Sequence, residues 1–170
     1  MSKSYIAVIV GACLISLAAP AAAQTTENYS GMNVCKFTSA EPAADVFGSG
    51  SIVNQDTVAR DIICPLKQVA CTSSTCNYSA NVYVSDGNNA DATDSNVICK
   101  LGYQRKNEAS VNYGTPVTHS SPNYTLTYKT ISVTVPAADQ YLIFVQCKLG
   151  KKDPEDLNVS YLTWIEATYP

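Results

Sequence analysis

Three short phrases, IICPL at 62–66, VICKL at 97–101 and VQCKL at 145–149, each place one cysteine in an apolar run with leucine two positions later. Successive side chains of a β-strand point to opposite faces, so residues two apart share a face. Cys99 and Cys147 therefore fall on the same face as their apolar neighbours. The pattern predicts β-strands whose cysteines point into a hydrophobic core.

Alternation with period two recurs through the rest of the chain, while no stretch after residue 23 has convincing helical periodicity. Further clear strand candidates are TVARDIIC (57–64), CNYSANVYV (76–84) and NVSYLTWIEATY (158–169), and weaker ones lie at 33–37, 51–54 and 111–118. Stretches rich in Gly, Pro, Asn and Asp separate them. We expect a single all-β domain over residues 24–170, an antiparallel, jelly-roll-like β-sandwich of roughly seven to nine strands.

The stretch YTLTYKTISVTV (124–135) contains two apolar sets that conflict with each other. Tyr124, Leu126 and Tyr128 share one parity, whereas Ile131, Val133 and Val135 share the other. A regular strand cannot turn both sets inward, because a shift of one residue turns every side chain over. The sequence predicts a β-bulge or a bend near Lys129–Thr130.

Six of the seven cysteines follow residue 23, and an even number in an exported chain is typical of disulfides. They are Cys35, Cys64, Cys71, Cys76, Cys99 and Cys147. Zinc binding is weakly supported, since the chain has one histidine and no pair of cysteines with two residues between them, the spacing of zinc knuckles. We favour the pairs 99–147, 71–76 and 35–64, although six cysteines allow 15 connectivities and the sequence does not choose among them.

The first 23 residues read as a secretory leader. A lysine precedes the apolar run IAVIVGACLISLAA, and PAAA before Gln24 offers a small-residue cleavage site, so we expect cleavage near Ala23–Gln24. Lipidation at Cys13 is the less favoured alternative. The short leader looks bacterial and predicts a secreted or periplasmic protein.

The charge of the chain excludes several partners. It has 11 Lys and Arg against 14 Asp and Glu, a net charge of −3, and no basic stripe. This composition argues against nucleic acid and anionic membrane surfaces. After the leader, no hydrophobic segment reaches membrane-spanning length. The sequence indicates no cofactor and leaves the oligomeric state open.

No catalytic apparatus is visible in the sequence. His119 lies in VTHSSPN and is interpreted as a surface-loop histidine. The spacing of the glutamates at 41, 108, 155 and 166 does not indicate the paired carboxylates of a glycoside hydrolase. The loop DGNNADATD (86–94) offers oxygen ligands for calcium, but it does not match the EF-hand pattern. Its weak calcium candidates are Asp86, Asn88, Asp91 and Asp94.

Tyrosine is unusually frequent, with eleven in the chain. Tyr83 lies on the outward side of its strand, and together with Tyr113 and Trp164 it is a candidate contact for a glycan or protein ligand. The alternative is that cross-strand tyrosines simply stabilise the sheets. We expect Trp164 to be largely buried and Tyr83 to be exposed.

The order GMNVC, GSIVN, CPL, paired core cysteines and a last strand YLTWIE resembles small exported bacterial proteins of unknown function. The resemblance implies a disulfide-bonded β-sandwich and carries no activity or catalytic residue with it. Because no catalytic apparatus is visible in the sequence, the favoured function is a non-enzymatic binding or adhesion module for glycan or protein, at the cell surface or outside the cell. A structural subunit of a surface assembly is the alternative, and a hydrolase with a hidden site is the third hypothesis.

Overall fold

The computed structural model describes residues 24–38, 44–47, 50–86, 96–119, 126–152 and 158–170. These residues form ten β-strands and one short helix. The elements are β1 Thr25–Ser30, α1 Gly31–Val34, β2 Lys36–Phe37, β3 Ala44–Phe47, β4 Ser51–Asn54, β5 Arg60–Ser85, β6 Val97–Arg105, β7 Val111–Tyr113, β8 Val117–His119, β9 Thr127–Leu149 and β10 Ser160–Tyr169. All the strand pairs are antiparallel.

Two long strands organise the fold. β5 and β9 pair from Arg60 opposite Leu149 to Val84 opposite Thr127, and their register shifts between Val69 and Thr75. Strands of this length cannot stay flat, because sheets twist and shifts of register bend them. Each long strand therefore contributes one half to each layer of a curled, two-layer β-sandwich, which confirms the predicted fold class.

We call the two layers front and back. In the front layer, β1 and β4 both pair with β10. β10 pairs on its other side with residues 79–85 of β5. Residues 75–84 of β5 then pair with residues 127–136 of β9. In the back layer, β2 pairs with residues 60–69 of β5, and these pair with residues 141–149 of β9. On its other side β9 pairs with β6, which also pairs with β7 and β8. β3 extends the front layer beyond β4.

The core lies between the layers and is built mainly from alternate residues of the longer strands β5, β6, β9 and β10. The fully buried large side chains include Ile62, Tyr78, Val82, Leu101, Ile131, Tyr141, Ile143, Leu149, Leu162 and Ile165. Burial of each such side chain stabilises the fold by about 1.5–3 kcal/mol. Because β10 and the front halves of β5 and β9 turn one face toward this core, their opposite face is left for contact with solvent or with a ligand.

The three disulfides join Cys35 to Cys64, Cys71 to Cys76, and Cys99 to Cys147. These are the pairs that the sequence pattern favoured. Cys99 and Cys147 lie directly opposite each other on β6 and β9, so this bridge links neighbouring strands of the back layer. The bridge from Cys71 to Cys76 closes the bend of β5, where the chain passes from one layer to the other.

The bulge or bend predicted near Lys129–Thr130 is wrong. β9 keeps a regular register from Thr127 to Pro136, with Ile131, Val133 and Val135 inward throughout. Only one of the two conflicting apolar sets points into the core, since Tyr128 of the other set faces outward and is exposed. The bend lies instead beyond Pro136, opposite the shifts of register in β5.

Two weaker strand candidates differ from expectation. The stretch 33–37 begins inside α1, where Gly31 approaches the Leu162 carbonyl so closely that a Cβ would lie 2.6 Å from its oxygen. The stretch 111–118 is two strands, β7 and β8, because the intervening segment turns toward β9 and a Cβ on Gly114 would lie 1.9 Å from the Ser132 carbonyl oxygen. This break and the strands β1 and β3 add to the predicted set, whereas 57–64 is joined to 76–84 in β5 and 124–135 to 141–149 in β9, so the count is ten.

The predicted leader, with Cys13, lies outside the described residues. Within the described part of the chain, no helix has the length and apolar character needed to cross a membrane.

Candidate binding face

The outer surface of the front layer, which we call the front face, carries aromatic side chains in register. On adjacent strands Trp164 of β10 lies opposite Tyr83 of β5, and Tyr83 lies opposite Tyr128 of β9. All three side chains point away from the core, since their neighbours Ile165 and Val82 are buried. We call Trp164, Tyr83 and Tyr128 the aromatic row.

Trp164 is 40 % exposed, so the expectation that it is largely buried is wrong. The physical reason is a β-bulge: Leu162 pairs with Val84 and Trp164 with Tyr83, which leaves one extra residue between them. The bulge keeps Leu162 and Ile165 in the core and turns Trp164 outward. The indole Nε1 then donates a hydrogen bond to Asn28 Oδ1 of β1 at 3.3 Å, which orients the ring.

Tyr83 is half-buried rather than exposed, because it stands between two aromatic neighbours. Its ring centroid lies 5.1 Å from that of Tyr128, with the ring planes inclined by 32°. Tyr128 is 57 % exposed. Sequence reasoning missed Tyr128 because its parity with Leu126 was interpreted as a core set. Its place directly opposite Tyr83 would have been visible only with the register of β9.

A row of polar side chains lies two residues further along the same strands. Thr130 Oγ1 donates to Asn81 Oδ1 at 2.7 Å, and Asn81 Nδ2 donates to Glu166 Oε2 at 3.0 Å. These three residues are register partners on β9, β5 and β10, and we call them the polar row. The hydrogen bonds orient the Asn81 amide and hold the Glu166 carboxylate in place.

The structure separates Tyr113 from the other two candidate contacts. It lies on β7 in the back layer, opposite Gly102, and its ring packs edge-on against Phe144 at 5.8 Å. The Lys100 ammonium stands 3.6 Å from the centre of the Tyr113 ring, a cation–π contact. Tyr113 is 43 % exposed. Its aromatic neighbour Phe144 is buried, so Tyr113 does not form an exposed row of rings with it.

The interpretation of His119 as a surface residue is wrong. It ends β8 opposite Val97, faces the core as Val97 does, and has no exposed surface. Neither ring nitrogen has a hydrogen-bond partner among the described residues. Burial, helped by the charge of Lys129, lowers the pKa of His119 from 6.5 to about 4, so the ring is neutral at pH 7. A neutral imidazole with no exposed surface is poorly placed to take a proton from a bound substrate.

The remaining candidates do not assemble into a site in the described residues. Asp86 is buried, with Ser160 Oγ donating to its Oδ1 at 3.4 Å, whereas Asn88, Asp91 and Asp94 lie outside the described residues. No cluster of metal-ligating side chains occurs in the part of the chain that the structure describes. Glu108 forms an ion pair with Arg105 at 3.2 Å, on the turn after β6.

An open hollow of about 600 Å³ lies beside that turn and is lined by Arg105, Lys106, Asn107, Glu108 and Gln140. The described part of its lining is charged and polar, without an aromatic ring. It is therefore a weaker candidate than the front face for a ligand that is recognised by stacking.

No protein-family model and no curated protein matches the chain by sequence. By structure it is similar to a xylan-binding module, CBM15, with a TM-score of 0.50 and 8% identity over 86% of this chain and 97% of that one. The C-terminal CBM6 of LamC, a marine laminarinase from Zobellia galactanivorans, gives a TM-score of 0.47 and 11% identity, covering 85% and 99% of the two chains. At these identities, what the chain shares with a carbohydrate-binding module is its β-sandwich fold.

Proposed function

We propose that this protein is an exported, non-catalytic glycan-binding module whose aromatic row is the binding surface. The observation that carries the proposal is the alignment of Trp164, Tyr83 and Tyr128 across three adjacent strands of the front face. Exposed aromatic rings held side by side offer large, rigid and amphipathic contact area at low cost in conformational entropy. The apolar faces of sugar rings stack on such surfaces while their hydroxyls bond to polar neighbours.

Stabilisation of the sheet alone explains the aromatic row poorly. A cross-strand aromatic pair contributes about 0.2–1 kcal/mol, and this benefit accounts for Tyr83, which is covered on both sides. Trp164 and Tyr128 leave 40 % and 57 % of their surface in water. Exposed aromatic residues that adjoin one another are typical of interaction sites.

The fold supports the same proposal. The similar structure with a TM-score of 0.50 is named as a xylan-binding module, so this architecture is used elsewhere to bind a polysaccharide. Three disulfides fit a protein that folds in an oxidising compartment, outside the cytoplasm. Removal of residues 1–23 as a signal peptide, and one domain over residues 24–170, form part of the proposal.

A structural subunit that polymerises by donating its N-terminal strand is less well supported. β1 pairs along its whole length with β10 of the same chain, from Thr25 opposite Tyr169 to Ser30 opposite Trp164. A strand that is engaged within its own sheet is not presented to a neighbouring subunit.

Affinity electrophoresis of the purified protein through gels containing soluble polysaccharides tests the proposal. Trp164→Ala and Tyr128→Ala should each weaken retardation by about tenfold or more, since exposed aromatic anchors concentrate binding energy. Tyr113→Ala is the matched control, because Tyr113 is equally exposed on the opposite layer, and it should bind like the wild type.

The melting temperature of each variant separates binding from folding. We expect Trp164→Ala to melt close to the wild type, as for other exposed positions. Retardation that depends on Tyr113 but not on Trp164 would assign the binding surface to the back layer. Absence of retardation in every polysaccharide would contradict glycan binding.

A further inference from the structure

The hydrogen bonds of the polar row all run in one direction. Thr130 donates to Asn81, and Asn81 donates to Glu166, so the series ends on a carboxylate. An ionised carboxylate only accepts hydrogen bonds, and two oxygens accept about four of them. Within the described residues Glu166 has no ion pair, and Oε1 has no hydrogen-bond donor. The polar row therefore presents an acceptor, held in place, beside the aromatic row.

Apart from Glu166, the front face is uncharged on β1, β10 and the front halves of β5 and β9. The outward residues of β1, β10 and the front halves of β5 and β9 are Thr26, Asn28, Ser30, Asn77, Ser79, Asn81, Tyr83, Tyr128, Thr130, Ser132, Thr134, Tyr161, Trp164, Glu166 and Thr168. Glu166 is the single ionisable carboxylate among them, and no lysine or arginine accompanies it. The outer surface of the back layer differs, since Lys100 and Lys148 lie there on adjacent strands.

We infer that the front face selects a neutral glycan, with Glu166 accepting hydrogen bonds from its hydroxyl groups; this inference rests on the proposed function. A sulfated or uronic-acid glycan would bring negative charge to Glu166 with no described cation on the face to offset the repulsion. A hydroxyl group is a donor, which is what a carboxylate requires of its partner.

The spacing of the two rows sets the orientation of the glycan. Neighbouring strands lie about 4.8 Å apart, so the three rings span about 10 Å across the strands, enough for more than one pyranose unit. Residues two apart along a strand are separated by about 7 Å, so a sugar stacked on the aromatic row turns one edge toward Glu166 and Asn81. The glycan chain lies across the strands, parallel to both rows.

The test is retardation of the full mature protein by two sets of polysaccharides. Arabinoxylan, galactomannan and mixed-linkage β-glucan are neutral, whereas polygalacturonate, alginate and heparin are anionic. We expect retardation by at least one neutral polymer, unchanged by added salt, and none by the anionic polymers. Glu166→Gln should weaken binding of the neutral polymer about tenfold, because it removes a charged acceptor. Glu108→Gln is the control, since it makes the same change of charge on the back layer.

The outcomes separate this inference from the proposed function. Binding of an anionic polymer that is lost in Trp164→Ala would overturn the neutral class and keep glycan binding on the front face. A Glu166→Gln variant that behaves like Glu108→Gln would overturn the role of Glu166. If no polymer of either set is retarded, the proposed function fails, and the inference fails with it.

Discussion

The direction of a single side chain decides the candidate surface at the scale of the residue. Trp164 belongs to a strand whose alternation is interrupted by one extra residue between Leu162 and Trp164. Without this bulge the outward and inward sets would exchange, because the side-chain period of a strand is two. The bulge therefore does two things: it keeps Ile165 in the core, and it places the indole beside Tyr83.

We expect His119 to make the stability of the protein sensitive to acid. Its pKa is lowered to about 4 in the folded protein, against an ordinary value of 6.5, so the unfolded chain binds more protons between these values. The contribution of His119 to the free energy of unfolding is fully present above pH 6.5 and is lost as the pH falls toward 4. Thermal unfolding across this range should show a steeper loss of midpoint in the wild type than in His119→Leu, which cannot titrate.

The control lies in the same experiment. Above pH 6.5 the difference between the wild type and His119→Leu should be constant, since the histidine is then neutral in both states. Parallel loss of midpoint in both proteins between pH 6.5 and pH 4 would show that acid acts through other groups.

At the scale of the element, the disulfides of the strands differ in how much they stabilise the fold. The bridge from Cys99 to Cys147 closes a separation of 48 residues between central strands, whereas that from Cys71 to Cys76 closes a separation of 5. In the chain-entropy description these loops correspond to about 4 and about 2 kcal/mol.

We therefore expect the double variant Cys99→Ala/Cys147→Ala to lose much more stability than Cys71→Ala/Cys76→Ala. The first pair also leaves space in the core, because both sulfurs are fully buried. Urea unfolding of the two double variants measures the difference. Equal losses would mean that the bend of β5 depends on its local bridge as strongly as the back layer depends on its own.

At the scale of the whole molecule, the three bridges together use every cysteine of residues 24–170. The mature protein should contain no free thiol, and thiol titration of denatured, unreduced protein measures this. A reactive thiol in every chain would return metal binding and nucleophilic chemistry to consideration.

One edge of the front layer is covered by the connection between β7 and β8, which lies in the stretch 111–118 that the sequence predicted as one strand. The connection between β7 and β8 packs Gly114 against the backbone of Ser132, and the Lys129 ammonium donates to the Thr118 carbonyl at 2.8 Å. These contacts cover the free edge of β9 in the front layer. Covered edges protect a sandwich from pairing with other chains.

Local pattern was sufficient to predict the fold class and to favour the cysteine pairs that the structure contains, although it did not exclude the other connectivities. Alternation with period two needs only the sequence, and it placed Cys99 and Cys147 inward because each lies in phase with its apolar neighbours. The separation of 5 between Cys71 and Cys76 was equally local. The outward direction of Tyr83 followed from the same alternation.

Only the tertiary structure decided which aromatic residues stand together and where His119 lies. The side chain of Trp164 points outward because of a β-bulge, and that of Tyr128 points outward because of the register of β9 against β5. The side chain of His119 points inward because its residue pairs with Val97. Each of these depends on a partner distant in sequence, and alternation within one strand cannot say which strand lies beside it. The aromatic row is therefore a property of how three strands align, and no single segment of the chain contains it.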